Sequence, residues 1–130
     1  MEISRIKPDD ARAEGGVLFN LDPTTTVTVA SIDSRRFLQI KEDLFRPHRR
    51  QSAKGELDPQ LERDLMAQAV ADGLLLGWEG LTDGGKPFPY SKDAARQLCK
   101  DSPEFTVRVL GFAQDSAAFK AAKVEALKNG

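Results

Sequence analysis

Three features of this sequence predict a mainly helical α+β domain, a bundle of about four to five short helices with a short N-terminal antiparallel β-hairpin. Two β-branched runs near the start are split by Asp22-Pro23. Most later apolar runs recur at spacings of three and four. Several of those runs open on Asp-Pro, Ser-Pro or Ser signals of helix starts.

The order along the chain follows from these signals. Residues 1–16 mix charges with Pro8, Gly15 and Gly16 and show no period, so they read as a flexible lead-in to a single domain over 17–130. With 130 residues the chain is long enough for one core and too short for two of ordinary size. "VLFNL" at 17–21 and "TTTVTVASI" at 24–32 form the hairpin, and a helical layer must cover one of its faces because two strands alone bury too little. From Asp33 the period changes: Phe37, Ile40, Leu44 and Phe45 share one helix face, Asp33 or Ser34 is placed to cap it, and Pro47 stops it. A polar, basic connector fills 46–56.

Asp58 and Pro59 open the next helix, with Leu61, Leu65, Met66, Ala69 and Val70 on its apolar side. Leu74, Trp78 and Leu81 continue that spacing past Gly73, so the helix is expected to run to about Gly77 before "TDGGKP" ends it. Ser91 caps a further helix over "KDAARQLCKD", and Ser102-Pro103-Glu104 starts another carrying Phe105, Val109 and Phe112. A last helix capped by Asp115 carries Phe119 and Leu127 and frays at its end.

Composition removes several classes of function. No run approaches the ~20 apolar residues of a membrane helix, and the N-terminus has no signal-peptide apolar region. One cysteine and one histidine exclude an internal disulfide and a zinc site. The net charge of -1 gives no global attraction to nucleic acid or an anionic membrane. "RPHRR" offers Arg46, Arg49 and Arg50 as phosphate donors, but without interleaved aromatic residues the patch reads as a solvated loop or an electrostatic rim facing an acidic partner. "DGGK" at 83–86 lacks the acidic series of a calcium loop and the Ser/Thr ending of a phosphate loop, which leaves a turn. Cys99 lies on a helix face beside Leu98, no serine sits in a Gly-x-Ser-x-Gly elbow, and His48 stands in a polar connector. No catalytic, cofactor or metal-binding residue, and no enzyme activity, is expected.

"LLLGW" at 74–78 holds more apolar surface than one helix face hides. Some of it either enters a core or meets another chain. Gly77 and Gly80 end the helix beside Trp78, the Asp-Gly-Gly turn reverses the chain, and Pro87 and Pro89 stiffen a run that returns Phe88 and Tyr90 toward the indole. Leu74, Leu76, Trp78, Phe88 and Tyr90 are therefore the candidates for organising a core or an apolar groove.

The series "LLLGWEGL", "TDGGKP", "FPYSKDAARQLCKDSPEF" and a closing Phe-containing helix resembles the tail assembly chaperones of long-tailed bacteriophages and prophages. The similarity extends over 17 to about 120 and is most specific at 74–91. It implies a non-enzymatic protein of the bacterial host cytoplasm that coats the tape measure protein, helps tail tube subunits assemble and stays out of the mature virion. It further implies self-association, no cofactor, and in many members a ribosomal frameshift that appends a domain contacting tail tube protein. Two other readings stay open: a structural head-tail connector or tail completion protein, and a small nucleic-acid binder using 46–50.

Overall fold

The computed structural model describes residue 3 and residues 8–120. Val17–Asp22 (β1) and Thr25–Val29 (β2) form the expected antiparallel hairpin, with Phe19 opposite Val27. The Asp22 carboxylate fixes its turn by accepting from the Thr24 amide at 2.9 Å and the Thr24 hydroxyl at 3.1 Å. The Thr24 amide, with smaller contributions around it, holds the Asp22 carboxyl below the usual carboxylate range.

Helices make up most of the remaining chain, as predicted. Asp10–Gly15 (α1) precedes the hairpin, so the stretch read as an unpatterned lead-in contains a helix, capped by the Asp9 side chain at the Ala11 amide. Arg35–Phe45 (α2) buries Phe37. The basic connector holds a 3₁₀ turn, Arg46–His48, and a short helix, Arg49–Ala53 (α3). Pro59–Gly73 (α4) starts on Asp58, whose carboxylate accepts from the Leu61 amide at 3.3 Å. Ser91 and Ser102 cap Lys92–Asp101 (α5) and Pro103–Ala113 (α6) in the same way. Of the expected final helix the described residues hold a 3₁₀ turn, Ser116–Phe119, on the Asp115 cap; Leu127 lies outside the described residues.

One expectation is overturned. The helix opened by Asp58 ends at Gly73 rather than near Gly77, and Leu75–Glu79 is a third strand (β3), antiparallel to β2, giving the sheet order β1-β2-β3. The i, i+4 spacing of Leu74 and Trp78 fits a helix. What decides is the free edge of β2, whose backbone donors and acceptors need a partner. The pairing slips between Thr28 and Val29, which face Gly77 and Leu75, so Leu76 is an extra residue on β3. That bulge breaks the two-residue alternation. Leu75 and Trp78, three apart, are consequently both buried, opposite Val29 and Val27.

α4 is the central helix. Ala67, Ala69, Val70, Ala71 and Gly73 are all buried, and α2, α5 and α6 pack around it. Gly73 is a close approach: a Cβ there would come within 3.0 Å of the Phe37 backbone. Behind the sheet, Phe19 stacks on Phe112 of α6 at 4.7 Å between ring centroids. Residues 30–32, which leave β2, tie the layers through consecutive amides: Ala30 donates to the Leu74 carbonyl, Ser31 to that of Ala13 and Ile32 to that of Ala113.

Candidate functional site

The segment after β3 explains where the rings go. Thr82–Asp83 (β4) and Lys86–Pro87 (β5) pair across Gly84 and Gly85, both at positive φ, as a tight reversal. Gly80 also has positive φ, and a Cβ on it would run into the Thr24 carbonyl oxygen, so the chain passes directly over the hairpin turn there. The Phe88 amide donates to the Leu81 carbonyl at 2.8 Å, which brings the Phe88-Pro89-Tyr90 run back alongside β3.

Trp78, Phe88 and Tyr90 meet as a result. The indole stacks on Phe88 with centroids 5.7 Å apart and planes 10° apart, and meets Tyr90 edge-on at 5.0 Å. Each polar handle is satisfied: Trp78 Nε1 donates to the Phe88 carbonyl at 2.6 Å, and the Tyr90 hydroxyl to the Leu75 carbonyl at 3.0 Å. Burial pushes the Tyr90 phenol above its ordinary value. Trp78 keeps only 7% of its surface. It therefore organises the interior, while Phe88 and Tyr90 remain half-buried at the boundary.

Of the other named residues, Leu74 is fully buried under the Ala30 amide that its carbonyl accepts. Leu76, on the bulge, is half-buried, and its Cδ1 would stand 3.0 Å from a Cβ at Gly16, beside α1. It does not join the rings. Arg46, Arg49 and Arg50 lie away from this site on the turn after α2 and on α3, where Arg46 bonds Asp43 at 2.8 Å and Arg49 pairs with Glu42.

Leu75, Phe105, Leu81 and Leu98 were not singled out for this site by sequence. Leu75 is buried, and Phe105 meets Trp78 edge-on at 6.4 Å from the start of α6. Its Ser-Pro cap places Phe105 in the first turn, but only the tertiary fold brings that turn to the indole. Leu81 sits where three open concavities of ≈ 320, 270 and 290 Å³ meet, one running to Phe88 and Leu98, one to Phe105 and one along Pro87 and Pro89. A fourth, of ≈ 230 Å³, lies between α4, α5 and α6 with Met66, Cys99, Val107 and Leu110 in its lining. Cys99 is buried, and burial pushes its thiol up to about 11, so it packs as a small apolar group rather than as a thiolate.

On the far side of α5, Arg96 forms a two-pronged pair with the Asp72 carboxylate at 2.7 and 3.0 Å, which raises the guanidinium's affinity for its proton. Lys92 donates to the Asp72 carbonyl at 3.1 Å, and burial lowers its ammonium from the ordinary value. These contacts fasten α5 to the end of α4. Among the described residues no three His, Cys, Asp or Glu side chains converge as metal ligands, and no helix is long and apolar enough to cross a membrane.

A family model described as YdaY prophage protein matches residues 32–129. No curated protein and no solved structure matches the chain.

Proposed function

The chain belongs to the YdaY prophage protein family, and from that premise we propose that it is a tail assembly chaperone, which holds the tape measure protein soluble while tail tube subunits assemble and does not remain in the virion. The observation that carries this reading is the surface around Leu81. Half-buried Leu81, Phe88, Leu98 and Phe105 line adjoining concavities on a rigid base formed by the Trp78 ring cluster. A groove with an apolar floor accepts the apolar stripe of an amphipathic helix, and many copies along one long helix gain by avidity. The resemblance in 74–91 falls on this same stretch. On this reading the protein acts without catalysis, in the host cytoplasm.

Arg46 and Arg49 are engaged by Asp43 and Glu42 of α2, which weakens the case for a phosphate-binding role of 46–50. Co-expression with the tape measure protein tests the proposal: the partner should be soluble with this chain and aggregate without it. Equal solubility in both cases refutes it. Mass spectrometry of purified tails separates the chaperone from a head-tail connector or completion protein, since stoichiometric amounts in finished particles belong to a structural component.

A further inference from the structure

We propose that the surface around Leu81 takes a basic amphipathic segment of another protein, one whose apolar side chains are flanked by Lys or Arg. The proposal rests on the chaperone reading for its setting and adds the chemistry of the partner. Leu81 lines all three concavities, so they lie side by side around it. Their volume, divided among three hollows, suits successive side chains of a segment rather than one compact molecule.

The rim determines the partner's charge. Asp83 and Asp101 border the first hollow, Asp22 and Glu104 the second and Glu79 the third. All five are exposed, and none forms an ion pair among the described residues. Against these five carboxylates the described residues of the same linings hold one cation, Arg108, whose guanidinium donates to the Leu21 carbonyl at 2.9 Å. In a chain of net charge -1 this excess is local. A purely apolar partner would desolvate the carboxylates without pairing them, and a second copy docked by the same face would set like charges against like. A metal ion is disfavoured because no three ligands converge here. The groove between α4, α5 and α6 gives no such discrimination, since Arg63, Asp64 and Lys100 line it together.

The test uses the full chain and two helix-forming peptides of about 20 residues with identical leucines, one flanked by lysines and one by glutamates. Fluorescence anisotropy of each labelled peptide is read at about 50 and about 300 mM NaCl, on either side of the range where screening shortens to side-chain dimensions. The lysine peptide should bind, losing about tenfold in affinity at the higher salt, and the glutamate peptide should bind at least about tenfold more weakly. Asp83→Lys with Asp101→Lys, both on exposed carboxylates, should weaken the lysine peptide about tenfold without shifting Tm. Absent binding, equal affinity for both peptides, or an unaffected double variant overturns the inference. So does a double variant that changes the oligomeric state while leaving peptide binding intact, which would assign the face to a second copy. If the double variant still keeps the tape measure protein soluble, this inference fails and the chaperone reading stands. If the lysine peptide binds as expected while the tape measure protein gains no solubility, the chaperone reading fails alone.

Discussion

Trp78→Ala should remove a large share of the stability of this protein. The indole is 93% buried, since only 7% of its surface is exposed, and it touches three rings: Phe88 face to face, and Tyr90 and Phe105 edge-on. Truncating a buried aromatic residue costs about 3 to 5 kcal/mol when the neighbours cannot close the void. Closure is hindered here, because Phe88 and Tyr90 are held by backbone contacts to Leu81 and Leu75 that do not involve the indole. The Phe88 carbonyl also loses its donor at 2.6 Å, a contribution of about 1 kcal/mol within that range. Against a typical domain stability of roughly 5 to 15 kcal/mol, such a loss leaves a readily measured unfolded fraction. Urea titration followed by far-ultraviolet circular dichroism is the appropriate assay, since the variant has no tryptophan to report. The midpoint should fall with the slope unchanged. Trp78→Phe, which keeps a ring but not the N-H, should cost about 1 to 2 kcal/mol. A loss under about 1 kcal/mol for Trp78→Ala would refute the assignment of this residue to the core.

Other perturbations report on separate parts of the fold. Gly80→Ala forces a left-handed conformation worth about 1 to 2 kcal/mol on a residue that also collides with the Thr24 carbonyl, so Tm should drop by several degrees. The Glu14 carboxylate accepts from the Arg35 amide at 2.9 Å and so caps α2 from another element; Glu14→Ala should cost about 0.5 to 2 kcal/mol in the same urea assay. Ser34→Ala should cost nothing measurable, because the Ser34 hydroxyl is buried without a hydrogen-bond partner among the described residues and makes no capping bond. Cys99 makes stability pH-dependent: its thiol ionises near 9.0 unfolded and near 11 folded, so its contribution is full below pH 9 and lost as pH rises through about 11. The size is roughly 2 to 3 kcal/mol. Tyr90, raised by burial, acts in the same direction, and Lys92, lowered by burial, opposes it. The check is therefore the difference between wild type and Cys99→Ala from pH 8 to about 11, which should narrow as pH rises.

The parts of the fold legible in the sequence are those written locally. Asp58, Ser91, Ser102 and Asp115 each accept the backbone amide their position predicts, and Pro59 and Pro103 stand at the first helical positions. The glycines and prolines of 77–91 likewise encode a reversal that brings Phe88 and Tyr90 to Trp78. The strand Leu75–Glu79 is not legible in the sequence, which extends the helix to about Gly77, because the run 74–78 shows no alternation and the strand is imposed by β2, more than forty residues upstream. The helix α1 is too short to show a period, and its reason for forming is distant as well: Ala13 is buried and its carbonyl accepts from the Ser31 amide, and the Asp9 amide donates to the Phe119 carbonyl. In the sequence Leu81 only continues the apolar spacing of a helix that is expected to end near Gly77. Its place at the junction of three hollows depends on how α5 and α6 return over the β4-β5 reversal, which no spacing within 77–91 contains.

The three consecutive amides of residues 30–32 bear on how this chain acquires its structure. Their acceptors lie in α1, at the end of α4 and at the end of α6, so the second and third join parts far apart in sequence, and the last closes only after most of the chain has been made. Each closure carries an entropic cost that no local contact repays beforehand. Folding should therefore be limited by a late, all-or-none event that seats the sheet and the helices together, slower than a helical bundle of this size would need. A chain divided between α4 and α5 should yield two fragments that are each largely unfolded and recover the native circular dichroism only when mixed.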